Sequence, residues 1–156
     1  MAEHKAIICW QCTDPDFLKG KYSREHTWRF DGGVQMPASP SPSIVPTPYS
    51  NPAHVDPEEA YVASISSCHM LTLLHVASRQ GFQVESYEDE AIGAMTKNEK
   101  GVPWVSSVTL PPKIVYSGEN LPTPADEERL HHLAHGQCFI TNSIKSEVTV
   151  RGITAA

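Results

Sequence analysis

The sequence predicts an α+β fold with antiparallel sheets around a long, buried central helix. Strand signals cluster before, between and after two helix signals instead of alternating strictly with them. The stretch from Asp56 to Arg79 has a helix start, many apolar positions and a glycine stop. No GxGxxG or phosphate-loop sequence is present to favour a doubly wound nucleotide fold. At 156 residues the chain is expected to form one domain, 1–156.

Residues 5–11 and 25–30 carry short apolar or aromatic runs that fit strands, and Asp31, Gly32 and Gly33 supply a turn before Val34–Met36. An N-terminal β-meander follows from these. Between Pro37 and Pro52 six prolines remove backbone donors and favour extended backbone, so an ordered surface loop is expected. Asp56 as N-cap, Pro57 at the first helical position, and Glu58 and Glu59 facing the positive end of the dipole start a helix that runs to about Arg79. Val62, Ile65, Met70, Leu71, Leu73, Leu74 and Val76 occupy more than one stripe, which predicts cover on several sides.

Gly81 ends that helix. Residues 82–95 and 102–116, separated by the polar turn Lys97–Gly101, predict a long hairpin. Thr123, Pro124, Ala125 and Asp126 repeat the helix-start signal, with an end near Gly136 and Cys138 just beyond it. Residues 147–151 alternate as a last strand. No internal repeat is visible.

Twelve Lys and Arg against eighteen Asp and Glu give a net charge of −6, with no positive stripe able to follow a phosphate backbone, so nucleic acid is not an expected partner. The apolar run Ala6–Trp10 is too short for a signal-peptide core. A bilayer-length stretch, Ala60–Ala77, is interrupted by Ser64, Ser66, Ser67, His69, Thr72 and His75. No membrane partner and a cytoplasmic location are expected. Four cysteines in such a chain point to free, catalytic or metal-bound thiols rather than a disulfide framework.

Cys68 alone, in the middle of an apolar helix, reads as a small core hydrophobe. Cys138, after a helix end, changes the reading. The chain carries Val55-Asp56-Pro57-Glu58-Glu59, then Ser66-Ser67-Cys68-His69, then Ala134-His135 shortly before Cys138, with Asn142-Ser143 after it. In that combination, and over most of its length, it resembles the OsmC/Ohr family of organic hydroperoxide and osmotic-stress proteins.

The resemblance implies a thiol-dependent peroxidase without a cofactor. Cys68 attacks the organic hydroperoxide, Cys138 resolves the sulfenic acid as a disulfide, and a lipoyl-type or thioredoxin-type dithiol resets the pair. An unperturbed thiol of pKa ~8.5 is only slightly ionised at neutral pH, so the attacking sulfur needs a nearby cation. Family members use an arginine held by a glutamate. Glu58 matches the glutamate, Arg24 is the preferred arginine and Arg29 the alternative. Glu58 lies about 15 Å along a straight helix from Cys68, which predicts that Glu58 and Arg24 of one chain reach Cys68 of another in an intertwined homodimer.

Other readings stay open. His131 and His135, four apart on one helix face, form with Cys138 and Cys68 a candidate His/Cys metal site. A non-catalytic member of the fold that binds a small apolar ligand is another possibility, as is a thiol hydrolase lacking a visible base or oxyanion hole. Ile65, Leu71 and Leu74 are candidates to line an alkyl pocket, with ordinary core as the plain alternative. His69 projects about 100° from Cys68 and is a poor direct base. Cys9 and Cys12 read as one buried and one exposed bystander, since strand positions three apart face opposite sides.

Overall fold

The computed structural model describes residues 1–151, in two compact units that divide between Ala60 and Tyr61. In the first, β1 (Ala6–Cys9), β2 (His26–Phe30) and β3 (Gln35–Ala38) form an antiparallel sheet with β2 in the centre. The expected meander is present. Pro37 sits on edge strand β3, where a missing N–H is tolerated. The proline-rich segment is held as an ordered loop. The buried Ser39 hydroxyl accepts the Asn51 N–H at 2.8 Å, and the Ser39 N–H donates to Val55 O at 3.0 Å, returning the chain alongside Ala38.

Helix α1 spans Pro57–Arg79, as its sequence signals require. The Asp56 carboxylate accepts the Glu59 N–H at 2.7 Å, and the Glu59 carboxylate accepts the Asp56 N–H at 3.1 Å, a reciprocal cap that satisfies two otherwise orphaned donors. At the other end Gly81 takes φ 80°, Phe82 N donates to Ala77 O at 3.0 Å, and Gly81 N donates to Ser78 O at 3.2 Å. Phe82 then folds back onto the cluster containing Ala77, so backbone and side chain stop the helix together.

The second unit departs from the expected long hairpin. Each of its two arms breaks, giving β4 (Gln83–Glu88), β5 (Ile92–Lys97), β6 (Pro103–Leu110) and β7 (Lys113–Ser117). The outer parts β4 and β7 pair in one two-stranded sheet, and the inner parts β5 and β6 pair in another. Pro111 and Pro112 lack the N–H groups that would carry one ladder across the break. On the opposite arm, Asp89 lies between β4 and β5 and accepts a hydrogen bond from Ser66 of α1. After α2 (Pro124–Gln137), β8 (Glu147–Val150) joins β6 in parallel, with Val108 opposite Val148 and Leu110 opposite Val150. This one parallel pair is an exception to otherwise antiparallel sheets. A long connection through a helix lets a strand return in either direction.

One core cluster joins Leu73, Val76 and Ala77 of α1 to Phe82 and to Leu130 and Ala134 of α2. Another joins Ile65 to Val108 and Leu110, with Ile140, Ile144, Val148 and Val150 packed on it. Within the chain, burial of α1 is confined to Ile65, His69, Leu73, Val76 and Ala77, whereas Leu71 is 60% exposed. Cover on several sides is thus absent in the single chain.

Strand β5 crosses α1 closely at Gly93, where an added Cβ would lie 2.5 Å from Val62 Cγ2 and 3.3 Å from Val105 Cγ1. Val62 is β-branched and stiff at χ1, so it has little room to yield. Gly93→Ala is expected to cost about 1–3 kcal/mol, read as a lower urea midpoint with unchanged slope. An unaltered midpoint would show that β5 can lift from α1 freely.

Candidate active site

Cys68 lies on α1 between the residues that face the two clusters, and it is partly exposed. Cys138 terminates α2 in extended conformation, φ −68° and ψ 117°, and is fully buried. The two thiols are near enough for each to shift the other's ionisation. Burial raises the Cys68 thiol above its ordinary value, and nearby Cys138 raises it further, against backbone N–H groups of Ile140 and Phe139. Burial acts the same way on Cys138, but Cys68, Thr141 and Ile140 together outweigh it and lower that thiol. The Thr141 N–H reaches the Cys138 sulfur at 3.4 Å. The Thr141 hydroxyl is buried without a partner at ordinary hydrogen-bond geometry, so its influence on that sulfur is the longer-range one. For Cys68 to attack, a cation must offset the burial that raises its thiol.

Asn142 and Ser143, noted in the sequence only as parts of a motif, hold the turn after Cys138. Asn142 Nδ2 donates to Gly136 O at 3.0 Å and to Cys138 O at 2.9 Å. Ser143 Oγ donates to Phe139 O at 2.7 Å. Asn142 and Ser143 therefore fix the backbone that presents the second thiol. Their side chains leave no sulfur contact to be read from sequence.

Helix α1 is unbroken, so Glu58 remains about 15 Å along its axis from Cys68. Glu58 Oε2 is buried without a hydrogen-bond partner. In the first unit, Arg24 is no freely solvated turn residue. Its Nη1 donates to Tyr22 O at 2.8 Å, its guanidinium lies 3.8 Å from the centroid of the Tyr22 ring, and its own N–H donates to Tyr49 O at 3.1 Å. Among the described residues Arg24 is in no ion pair. Arg29 instead donates to Cys9 Sγ at 3.7 Å. Cys9 and Cys12 are both exposed, which corrects the expectation of one buried and one exposed thiol. β1 ends at Cys9, so strand alternation does not extend to Cys12, and all four positions of β1 are exposed.

His131 does not group with Cys138 as a metal ligand. Its Nδ1 lies 3.0 Å from Nε2 of His69. Two imidazole nitrogens bound to one tetrahedral ion at about 2.0–2.1 Å lie roughly 3.3 Å apart, whereas 3.0 Å is an ordinary hydrogen-bond distance. Among the described residues, no group of three or more His, Cys, Asp or Glu is placed to hold a metal. The three candidate pocket residues also separate: Ile65 is core, Leu71 is exposed, and Leu74 lines an open cleft of ≈ 330 Å³ with Ser78, Gly81, Phe82, Gln83 and Val84.

The family model described as OsmC-like protein matches residues 50–151, a span containing both thiols and both helices. The chain belongs to the OsmC family. An OsmC-like protein of unknown function from Vibrio cholerae is 51% identical, superimposes with a TM-score of 0.93, and is matched over 97% of this chain and 99% of its own. An organic hydroperoxide resistance protein from Elizabethkingia anophelis shares the fold at a TM-score of 0.68 and 18% identity, over 97% of this chain and 94% of that one. The organic hydroperoxide resistance protein OhrB of Bacillus subtilis does so at 0.63 and 19%, over 96% and 95%. No curated protein matches the sequence.

Proposed function

We propose that this OsmC-family protein is a thiol-dependent peroxidase that reduces organic hydroperoxides in the cytoplasm. The observation that carries the reading is that a partly exposed thiol, Cys68 on α1, and a buried thiol, Cys138 at the end of α2, are near enough to shift each other's ionisation. Peroxide reaches the first sulfur more readily than the second. The Cys68 thiolate attacks the distal oxygen of ROOH, the O–O bond breaks, and the alkoxide leaves as ROH after taking a proton. The Cys68 sulfenic acid then condenses with the Cys138 thiol, forming a disulfide and releasing water. A lipoyl-type or thioredoxin-type dithiol returns both sulfurs to thiols and leaves as a disulfide.

The cation that ionises Cys68 is assigned to Arg24, with Glu58 as its anchor. Glu58 has a buried oxygen without a partner, and Arg24 has no carboxylate among the described residues. The length of α1 between Glu58 and Cys68 favours a two-fold homodimer in which each chain supplies these two residues to the other's thiol. Leu71, 60% exposed in the single chain, gives such a dimer an apolar side chain to bury.

Titration of reduced protein with cumene hydroperoxide and with hydrogen peroxide tests the reaction. A Cys68–Cys138 disulfide that forms faster with the organic peroxide is expected. Stoichiometric metal with no peroxide-driven thiol loss would instead favour a metal-binding protein, and inert thiols without metal a ligand-binding one. Activity should fall as the protein is diluted into monomers. Fully active monomers would rule out the shared site.

A further inference from the structure

Two histidines outside this thiol chemistry occupy the interior between the helices that carry it. His69 of α1 and His131 of α2 are 0% and 4% exposed, with His69 Nε2 and His131 Nδ1 3.0 Å apart. Their ring planes lie within 6° of parallel and their centroids 5.3 Å apart. That separation is the nitrogen–nitrogen distance extended by two ring radii, the geometry of an in-plane N–H···N bond rather than a face-to-face stack. The site is costly to build. His69 Nδ1 is buried with no partner, a penalty that an apolar side chain would not incur. What an apolar pair would lack is direction. A hydrogen bond between two rigid rings fixes how one helix is rotated and translated against the other.

The two rings are placed where that restraint bears on the thiols. His69 follows Cys68 directly on α1. His131 precedes Cys138 by seven residues, two helical turns, so both project from the same side of α2. Burial keeps both imidazoles neutral, with pKa values of about 4, so one ring donates and the other accepts throughout the neutral range. Leu73, one turn along α1 from His69, and Leu130 and Ala134, next to and one turn along α2 from His131, are fully buried, so the bond lies in a stretch of both helices closed to water.

We propose that the His69–His131 hydrogen bond is a positioning clamp that sets the register of α1 on α2, and through it the ease with which Cys68 and Cys138 close to a disulfide. The proposal deepens the peroxidase reading, since it concerns the same two thiols, but it is tested without peroxide. The C9S/C12S protein, which lacks the two exposed thiols, is equilibrated with mixtures of reduced and oxidised glutathione. The fraction of Cys68–Cys138 disulfide is read by mass. His131→Leu, which keeps the bulk and loses the bond, is expected to weaken disulfide formation about tenfold, a potential roughly 30 mV more oxidising. His131→Asn, whose amide stands close to the position of Nδ1 and can donate or accept, is expected to stay within about threefold of the parent.

A merely structural histidine would give Leu and Asn variants displaced alike. Should His131→Leu not fold, His131→Gln serves in its place, because its longer side chain carries the amide past the Nδ1 position. Asn restoring the equilibrium while Gln does not supports the clamp. Equal potentials for all variants would overturn it, as would a parent protein that forms no Cys68–Cys138 disulfide at any glutathione ratio. A normal disulfide equilibrium with no peroxide consumption would retire the peroxidase reading and leave the clamp standing.

Discussion

Cys68→Ser is expected to abolish consumption of organic hydroperoxide, by at least about a thousandfold, because a serine hydroxyl is hardly ionised where a thiol is within reach of ionisation. Cys138→Ser is expected to behave differently. Its Cys68 should still react with the first equivalent of peroxide, since the attacking sulfur is intact, but turnover should cease because no second thiol forms the disulfide. The product should then gain one oxygen and, with excess peroxide, a second, as the sulfenic acid advances to the irreversible sulfinic acid. Mass analysis of the two variants after one and several equivalents separates the roles. If Cys138→Ser stops the first oxidation and Cys68→Ser permits it, the assignment of attacking and resolving sulfur is reversed. That reversal has a physical basis to be weighed against burial, since the groups around Cys138, Thr141 among them, lower its thiol despite its burial. Access argues the other way, with Cys138 at 0% exposure.

The local signals were legible because their chemistry is local. Asp56, Pro57 and Gly81 each act on backbone within a few residues, and they place both ends of α1 where the sequence puts them. The same holds for Thr123 and Asp126, whose reciprocal cap starts α2. The two strand arms after Gly81 were legible as strands but not as two separate sheets. That partition depends on Pro111, Pro112 and the Ser66–Asp89 bond acting from opposite sides. Nor does any spacing announce that β8 will run parallel to β6. Among the candidate site residues, Cys68 and Cys138 came from paired motifs and lie near enough to shift each other's ionisation. His131 was noticed for the wrong partner. Its periodicity with His135 was visible in one helix, whereas its bond to His69 joins positions 62 residues apart. Leu74 and Ile65 show the same limit, since a shared helix says nothing of which cluster each side chain enters.

Acid is expected to unfold this protein earlier than its carboxylates alone require. His69 and His131 have folded-state pKa values of about 4, lowered from 6.5, His69 by burial and then by His131 and His135, His131 by burial. Between those limits the unfolded chain binds more protons than the folded one, so stability rises with pH. The contribution is fully present above about pH 6.5 and is lost as pH falls toward about 4. For the two histidines together it amounts to a few kcal/mol, since each tenfold loss of proton affinity on folding corresponds to about 1.4 kcal/mol. Glu25 and Asp126, both lowered, lose their contributions only at more acid pH, below their ordinary values of 4.5 and 3.8. Asp89, raised by burial, has the opposite sign and gains as it protonates, offsetting part of the loss. Urea midpoints measured from pH 7.5 to 4.5 should therefore fall steeply below about pH 6. In His131→Asn, where the amide keeps the bond but cannot titrate, the slope should be shallower while stability at pH 7.5 stays near that of the parent. A parent midpoint that is flat across this range would mean that the histidine pair is solvated and titrates as it does in the unfolded chain. The clamp would then have no dry interior to act in.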